Sequence, residues 1–307
     1  MAGKRVQVLL STYNGERYLR PLLESLASQE YKNIEILIRD DGSSDGTVGL
    51  LEEYTLRCKN TGLVKGEHLG VIRSFFELLQ LSSPDVDYLA FCDQDDVWEK
   101  DKINRAIGFL SLLPEGLPLM YCSRVFITDE QLNVVGISRI PRRGPSFRNA
   151  LVENIAPGCT MVINKIARDL ILLEIPNFES IRMHDWWVYL VVSAFGKVFY
   201  DEKPTVLYRQ HAANVVGIKI GLAAQWQARF RRFRKYGRLH LLTEQAKEFR
   251  RIYGHLLSEE KKRVLDRFLN DRVSFTSRMK YFLTCEVYRQ SLIDDLILRA
   301  LILLNRV

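Results

Sequence analysis

Between Val6 and about Leu119 the chain repeats one pattern: an apolar run of strand length, a polar turn, then a stretch with apolar residues at helical spacing. Strands separated by helices cannot pair through tight hairpins; they need crossovers, and crossovers build a parallel sheet. VQVLL (6–10) precedes Leu19, Leu22, Leu23 and Leu26, and IEILI (34–38) precedes a helix carrying Val48, Leu51 and Tyr54. A short strand at 63–64 precedes a helix over 72–81, and YLAFC (88–92) precedes a helix over 102–113. In such a sheet the ligand crevice lies beyond the carboxyl ends of the strands. Those ends here carry STYNGE (11–16), DDGSSDGT (40–47) and CDQDDVW (92–98).

After Pro118 the texture changes. LMYCSRVFI and LNVVGI flank TDEQ and read as a hairpin, so an antiparallel portion joins the sheet. ENIAPGCTMVI (153–163) reads as a strand, HDWWVYLVVSAFG (184–196) as a helix, and KVFYD and TVLYRQH as closing strands. Beyond Gly217 the pattern is helical, with Trp226, Phe230 and Phe233 spaced along one face among Arg229, Arg231, Arg232, Arg234 and Lys235. The expected architecture is α/β, a Rossmann-like mixed sheet flanked by helices over residues 1–217, with a basic amphipathic helical extension over 218–307.

Charge separates the same two parts. Residues 219–307 hold 20 basic and 9 acidic side chains, against 24 and 28 in residues 1–218. A basic tail on a mildly acidic body suits an anionic surface, either phospholipid or nucleic acid. No stretch reaches the roughly 18 apolar residues of a membrane span, and VQVLL is too short for a signal-peptide core. The five cysteines are dispersed without a C-x-x-C pair, which points away from zinc and redox chemistry and toward a reducing cytoplasm.

Asp93, Asp95 and Asp96 follow a buried strand directly. In extended chain, side chains two apart point the same way, so Asp93 and Asp95 converge and Asp96 faces elsewhere. A pair of carboxylates at a strand end offers the hard oxygen ligands that Mg²⁺ or Mn²⁺ takes alongside substrate phosphates; capping the next helix is the other role open to such acids. In the second turn, an aspartate can accept from a base N–H or a ribose hydroxyl, although Asp, Gly and Ser also dominate ordinary turns.

LLSTYNGERYLRPLLESLASQ, IRDDGSSDGT, the Gly70–Phe75 stretch and FCDQDDVW, in that order and spacing, resemble the inverting family 2 glycosyltransferases of the GT-A fold. MHDWW (183–187) is similar to that family's acceptor-side acidic motif and YRQHAANVVG (208–217) to its closing loop. The wording of DQDDVW, HDWW and YRQH is most similar to bacterial rhamnosyltransferases of cell-surface polysaccharide.

The resemblance implies that Thr12 and Asp41 contact the nucleotide. It places Asp93 and Asp95 on the D-x-D that holds the donor through Mg²⁺ or Mn²⁺, and His211 near the pyrophosphate or the metal. Asp185 would be the general base; helix capping is its alternative, as loop hydrogen bonding is for His211. Asp96, Trp98, Trp186 and Arg209 are further candidate contacts to donor or acceptor, with core packing the alternative for the tryptophans. His68 departs from the family's usual Asn.

The implied reaction is inverting transfer of a sugar, with dTDP-L-rhamnose the first choice of donor and a UDP-sugar the second, onto a cell-surface or lipid-linked glycan. The enzyme is expected at the inner face of the cell membrane, attached through its C-terminal helices; a docked helical subdomain or a homodimer would use those helices instead. A nucleic-acid-binding protein is the competing class, disfavoured by the acidic crevice. A nucleotidyltransferase would need a basic Gly-rich phosphate loop that the first turn lacks.

Overall fold

A computed structural model describes residues 3–211, 240–271 and 274–307. The chain forms two compact units. The first comprises residues 1–140, 156–173 and 196–217, and the second residues 141–155, 174–195 and 218–307. Two short segments of the expected first domain, 141–155 and 174–195, belong to the second unit.

The first unit is built on a seven-stranded sheet. β1 (Val6–Thr12), β2 (Ile34–Asp40), β3 (Thr61–Lys65) and β4 (Tyr88–Asp93) pair in parallel, with β1 between β2 and β4. Helices α1 (Glu16–Ala27), α2 (Thr47–Arg57), α3 (Val71–Leu81) and α4 (Lys102–Leu110) follow the patterns predicted for them. The strands are nearly continuous apolar runs because both faces of the sheet are covered: Val8, Leu9 and Leu10 are all fully buried.

LMYCSRVFI does not form one hairpin arm. Its first half is β6 (Leu119–Ser123), which pairs in parallel with β10 (Lys197–Asp201) in the large sheet. Its second half is β7 (Phe126–Thr128), which pairs with β8 (Val134–Ile137) and β11 (Val206–Arg209) in a second, four-stranded sheet. The break at Arg124 is fixed by long-range bonds, since its backbone N–H donates to Asp201 O (3.1 Å) and its O accepts from Thr205 N (3.3 Å). The two-residue β5 (Val97–Trp98) edges the second sheet. Within 153–163 only the last residues are extended: a 3₁₀ turn at Gly158–Thr160 leads into β9 (Val162–Asn164), antiparallel to β4 and β6. α6 (Lys165–Ile171) follows.

The described residues of the second unit form helices and no strand. α5 (Phe147–Ala150) and α7 (His184–Phe195) pack with α8 (Leu241–Tyr253), where the Trp187 ring meets Phe249 edge-on at 6.1 Å. α9 (Glu259–Asn270), α10 (Phe275–Thr284) and α11 (Leu292–Leu303) complete the unit. The Trp226, Phe230 and Phe233 stripe lies outside the described residues. Among the described residues no helix is long and apolar enough to cross a membrane.

Candidate active site

Parallel pairing sets the three polar strand ends level. Thr12 lies opposite Asp40, and Ser11 opposite Asp93. Side-chain bonds then stitch the loops together. Ser43 Oγ accepts from Asn14 N (2.8 Å), and Asn14 Oδ1 accepts from Ser44 N (2.8 Å). The Gln94 amide pairs with the Tyr13 backbone in both directions, accepting from N (2.8 Å) and donating to O (2.9 Å). Gly15 admits this contact, because a Cβ there would meet Gln94 Oε1 at 2.2 Å.

At the end of β2 both carboxylates are saturated. Asp40 accepts from Thr12 Oγ1 (2.9 Å), Ser43 N (2.9 Å) and Ser43 Oγ (2.6 Å). Asp41, 2% exposed, accepts from the backbone of Leu69 and Gly70 at 2.9 Å each and from the Arg39 guanidinium. Arg39 is itself buried and also donates to Glu77 (2.5 Å) and to Glu67 O (3.1 Å). The carboxylate of Asp41 thus anchors the 67–70 loop, where Gly70 holds φ +83. His68 Nδ1 lies 2.9 Å from Asp41 Oδ2, and the His68 ring stacks on Tyr13 with centroids 4.1 Å apart.

The end of β4 is different. Extended chain stops at Asp93 and a turn begins at Gln94, so strand alternation does not carry to Asp95. The ligand atoms that converge within 4.8 Å are those of Asp93, Asp96 and Cys159. Asp95 instead places Oδ2 2.7 Å from His211 Nε2. Asp96 is fully buried; Oδ1 accepts from Arg209 N (3.1 Å), while Oδ2 has no hydrogen-bond partner among the described residues. Burial, followed by the charges of Asp95 and Asp93, raises its carboxyl well above the ordinary range.

A divalent cation fits this donor set. Crowded carboxylates, one with an orphaned buried oxygen, disfavour one another's charge until a cation offsets it, and oxygen ligands suit Mg²⁺ and Mn²⁺.

Around this turn the structure brings together residues that the sequence reading used otherwise or missed. Arg209 is 5% exposed; Nε donates to Asp95 O (2.9 Å) and Nη1 to Glu130 O (2.6 Å). Trp98 is 2% exposed, and Lys102 Nζ sits 3.2 Å from its ring centroid, so the ring stacks against an internal amine and is closed to a sugar. Burial lowers the Lys102 amine to about 7, and Nζ has no hydrogen-bond partner among the described residues. Tyr18 stacks on His211, with centroids 4.6 Å apart, and donates its hydroxyl to Glu130 Oε1 (2.7 Å). Nothing local in the sequence marks Tyr18, Glu130 or Cys159; only Lys102, four residues after Trp98, had a spacing that could have been noticed.

Asp185 belongs to the second unit, in the first turn of α7. Its Oδ1 accepts from Trp186 N (2.6 Å), and the Trp186 indole N–H donates to Ala150 O (2.6 Å) with Arg182 over its ring at 5.2 Å. Trp186 keeps partial exposure, whereas Trp187 has none.

The sequence profile of glycosyl transferase family 2 matches residues 7–171, which takes in the β1, β2 and β4 ends and stops short of Asp185 and His211. The chain is 32% identical to the dTDP-rhamnosyl transferase RfbG of Shigella flexneri over 233 residues, 71% of this chain and 77% of that protein. It is 28% identical over 189 residues to the UDP-Glc:alpha-D-GlcNAc-diphosphoundecaprenol beta-1,3-glucosyltransferase WfgD of Escherichia coli, covering 61% of this chain and 69% of that one. Among solved structures, S. aureus TarS 1–349 in complex with UDP-GlcNAc superposes with a TM-score of 0.61 at 17% identity, covering 92% of this chain and 76% of that one, a likeness of fold.

Proposed function

The chain belongs to glycosyl transferase family 2, and from that premise we propose that it transfers L-rhamnose, with inversion, from dTDP-L-rhamnose to a hydroxyl of a lipid-linked or cell-surface glycan. The observation that carries the site is the contrast in register-matched loops: saturated acids at Asp40 and Asp41 beside mutually crowded acids at Asp93 and Asp96, of which Asp96 keeps one buried oxygen without a hydrogen-bond partner among the described residues. The choice of donor is supported by the likeness to RfbG.

Thr12 and the Asp41-anchored loop form the nucleotide side. Asp93 and Asp95, with Asp96 behind them and His211 beside Asp95, would hold Mg²⁺ or Mn²⁺. The cation supplies Lewis-acid stabilisation of the diphosphate leaving group. Asp185 accepts the proton of the acceptor hydroxyl as that oxygen attacks the anomeric carbon from the face opposite the nucleotide. One base suffices, and no covalent intermediate forms. A UDP-sugar donor with the same mechanism is the second reading, supported by the likeness to WfgD.

The test is a melting-temperature panel of dTDP, UDP, GDP and CMP with and without Mn²⁺, since a ligand of the native state raises its stability. A shift with dTDP that needs Mn²⁺ is expected, together with loss of transfer in Asp95→Ala and Asp185→Asn. A preference for UDP overturns the rhamnosyl donor, and wild-type turnover in either variant removes that residue from its role.

We also place the enzyme at an anionic inner leaflet through its basic helical region. Phe275, Met279 and Leu283 repeat every four residues on α10 and are 59%, 40% and 73% exposed, and Leu292 and Leu296 on α11 are 60% and 63% exposed. Leu283→Asp with Leu296→Asp should abolish co-sedimentation with phosphatidylglycerol vesicles; undiminished sedimentation would refute this attachment.

A further inference from the structure

We propose that Tyr18 is a positioning residue, whose ring holds the imidazole of His211 against Asp95 and so sets the affinity of the β4 turn for its metal ion. The inference rests on the reading of His211 as a metal-site residue given above.

The geometry is a three-point fixation across long sequence separations. The Tyr18 ring lies nearly parallel to His211, at an interplanar angle of 24°. The Arg209 guanidinium carbon lies 5.0 Å from the same ring centroid. The phenol donates to Glu130 Oε1, and the backbone O of Glu130 accepts from Arg209 Nη1. Arg17 Nη1, 3.0 Å from Glu130 Oε1, completes the anchorage. Tyr18 comes from α1, Glu130 from the turn between β7 and β8, and Arg209 and His211 from the end of β11.

An imidazole on a free loop samples several rotamers, and each one lost on binding costs affinity. Stacked on Tyr18, His211 has its ring plane fixed with Nε2 already 2.7 Å from Asp95. In that contact Nε2 donates its proton to the Asp95 carboxylate; a cation in the turn would take that proton's place, with His211 carrying its proton on Nδ1 and the ring plane unchanged. Groups that orient a metal ligand typically change metal affinity about 10-fold or more when removed. The phenol itself need not touch nucleotide, sugar or metal.

The experiment follows free Mn²⁺ by its electron paramagnetic resonance signal in titrations of the full chain, with Mn²⁺ alone and again with dTDP. Tyr18→Leu and His211→Ala should each weaken Mn²⁺ binding about 10-fold, and the double variant should be no weaker than His211→Ala. Tyr18→Phe keeps the ring and loses only the hydroxyl, so it should restore most of the affinity. Wild-type Mn²⁺ binding in Tyr18→Leu alongside weakened binding in His211→Ala overturns the role of Tyr18 and leaves His211 in place. Unchanged binding in His211→Ala overturns the His211 reading and this inference with it. Additive losses in the double variant also overturn it, because Tyr18 would then act by another route. Tyr18 is only half-buried, and Tyr18→Met provides the same test should the Leu variant fold poorly.

Discussion

β2 and β4 flank β1, and both run from an apolar core into adjacent aspartates, yet the two acidic ends are in opposite electrostatic states. At β2 every carboxylate oxygen is met by backbone N–H groups, hydroxyls or Arg39, so Asp40 and Asp41 are structural fasteners that shape a loop. At β4 the carboxylates meet each other, and the buried Oδ2 of Asp96 meets no donor among the described residues. Each end also has its buried cation. Arg39 is ion-paired to Asp41, whereas Lys102 lies over Trp98 without a hydrogen bond among the described residues. The lesson is that a strand-end aspartate cluster signals ligand binding when the fold buries one of its oxygens without a donor among the described residues.

The strongest way to break this contrast is at Asp96. Asp96→Asn keeps the acceptor for Arg209 N and removes one crowded charge, so the metal-free protein should lose no stability. Transfer should nevertheless fall by about 10³-fold, equivalent to about 4 kcal/mol of transition-state stabilisation. A variant that melts far below wild type, or that keeps its turnover, would make the β4 end a structural knot like its neighbour. Asp41→Ala is the converse. It leaves Arg39 short of a buried partner and should cost about 3 kcal/mol in urea unfolding, while the thermal shift produced by Mn²⁺ alone, without nucleotide, survives. Unchanged stability with a lost metal shift would reverse the assignment of the two ends.

Much of this was legible in the residues. The alternation of strand and helix from Val6 onward placed all three polar ends, because apolar runs of five and turn-forming Asp, Gly and Ser are local signals. What failed were inferences that extend local geometry or use residue type as a guide to burial. Alternation turned Asp96 away from Asp93, but the turn at Gln94 ends the strand and brings Asp96 and Cys159 to Asp93. LMYCSRVFI looked continuous, yet long-range bonds at Arg124 divide it between two sheets. For Trp98 a ligand contact and core packing were both open, and the structure shows packing; nothing in the sequence says that a lysine four residues later will be buried over its ring. Asp185 was recognisable only through the HDWW resemblance; its local setting, the first turn of α7, is that of many helix-start acids.

The smallest effect separates the two buried cations. Arg39→Met should destabilise, because it strands Asp41 and the 67–70 loop. Lys102→Met, in contrast, removes an amine that burial disfavours and should stabilise by about 1–2 kcal/mol near pH 7, as apolar replacements of buried charges often do. The pH dependence supplies the sign. With the folded amine lowered to about 7 from an ordinary value of 10.5, the unfolded chain holds a proton between these values that the folded chain has released. Folding stability attributable to Lys102 therefore rises with pH across that window, by at most about 1.4 kcal/mol per unit. The advantage of Lys102→Met over wild type should shrink between pH 7 and pH 9 in parallel urea titrations. An advantage that stays constant over this range would mean that Lys102 keeps its proton in the folded state, held by the acids of the β4 turn, and the two ends would then share one device: a buried cation committed to its aspartates.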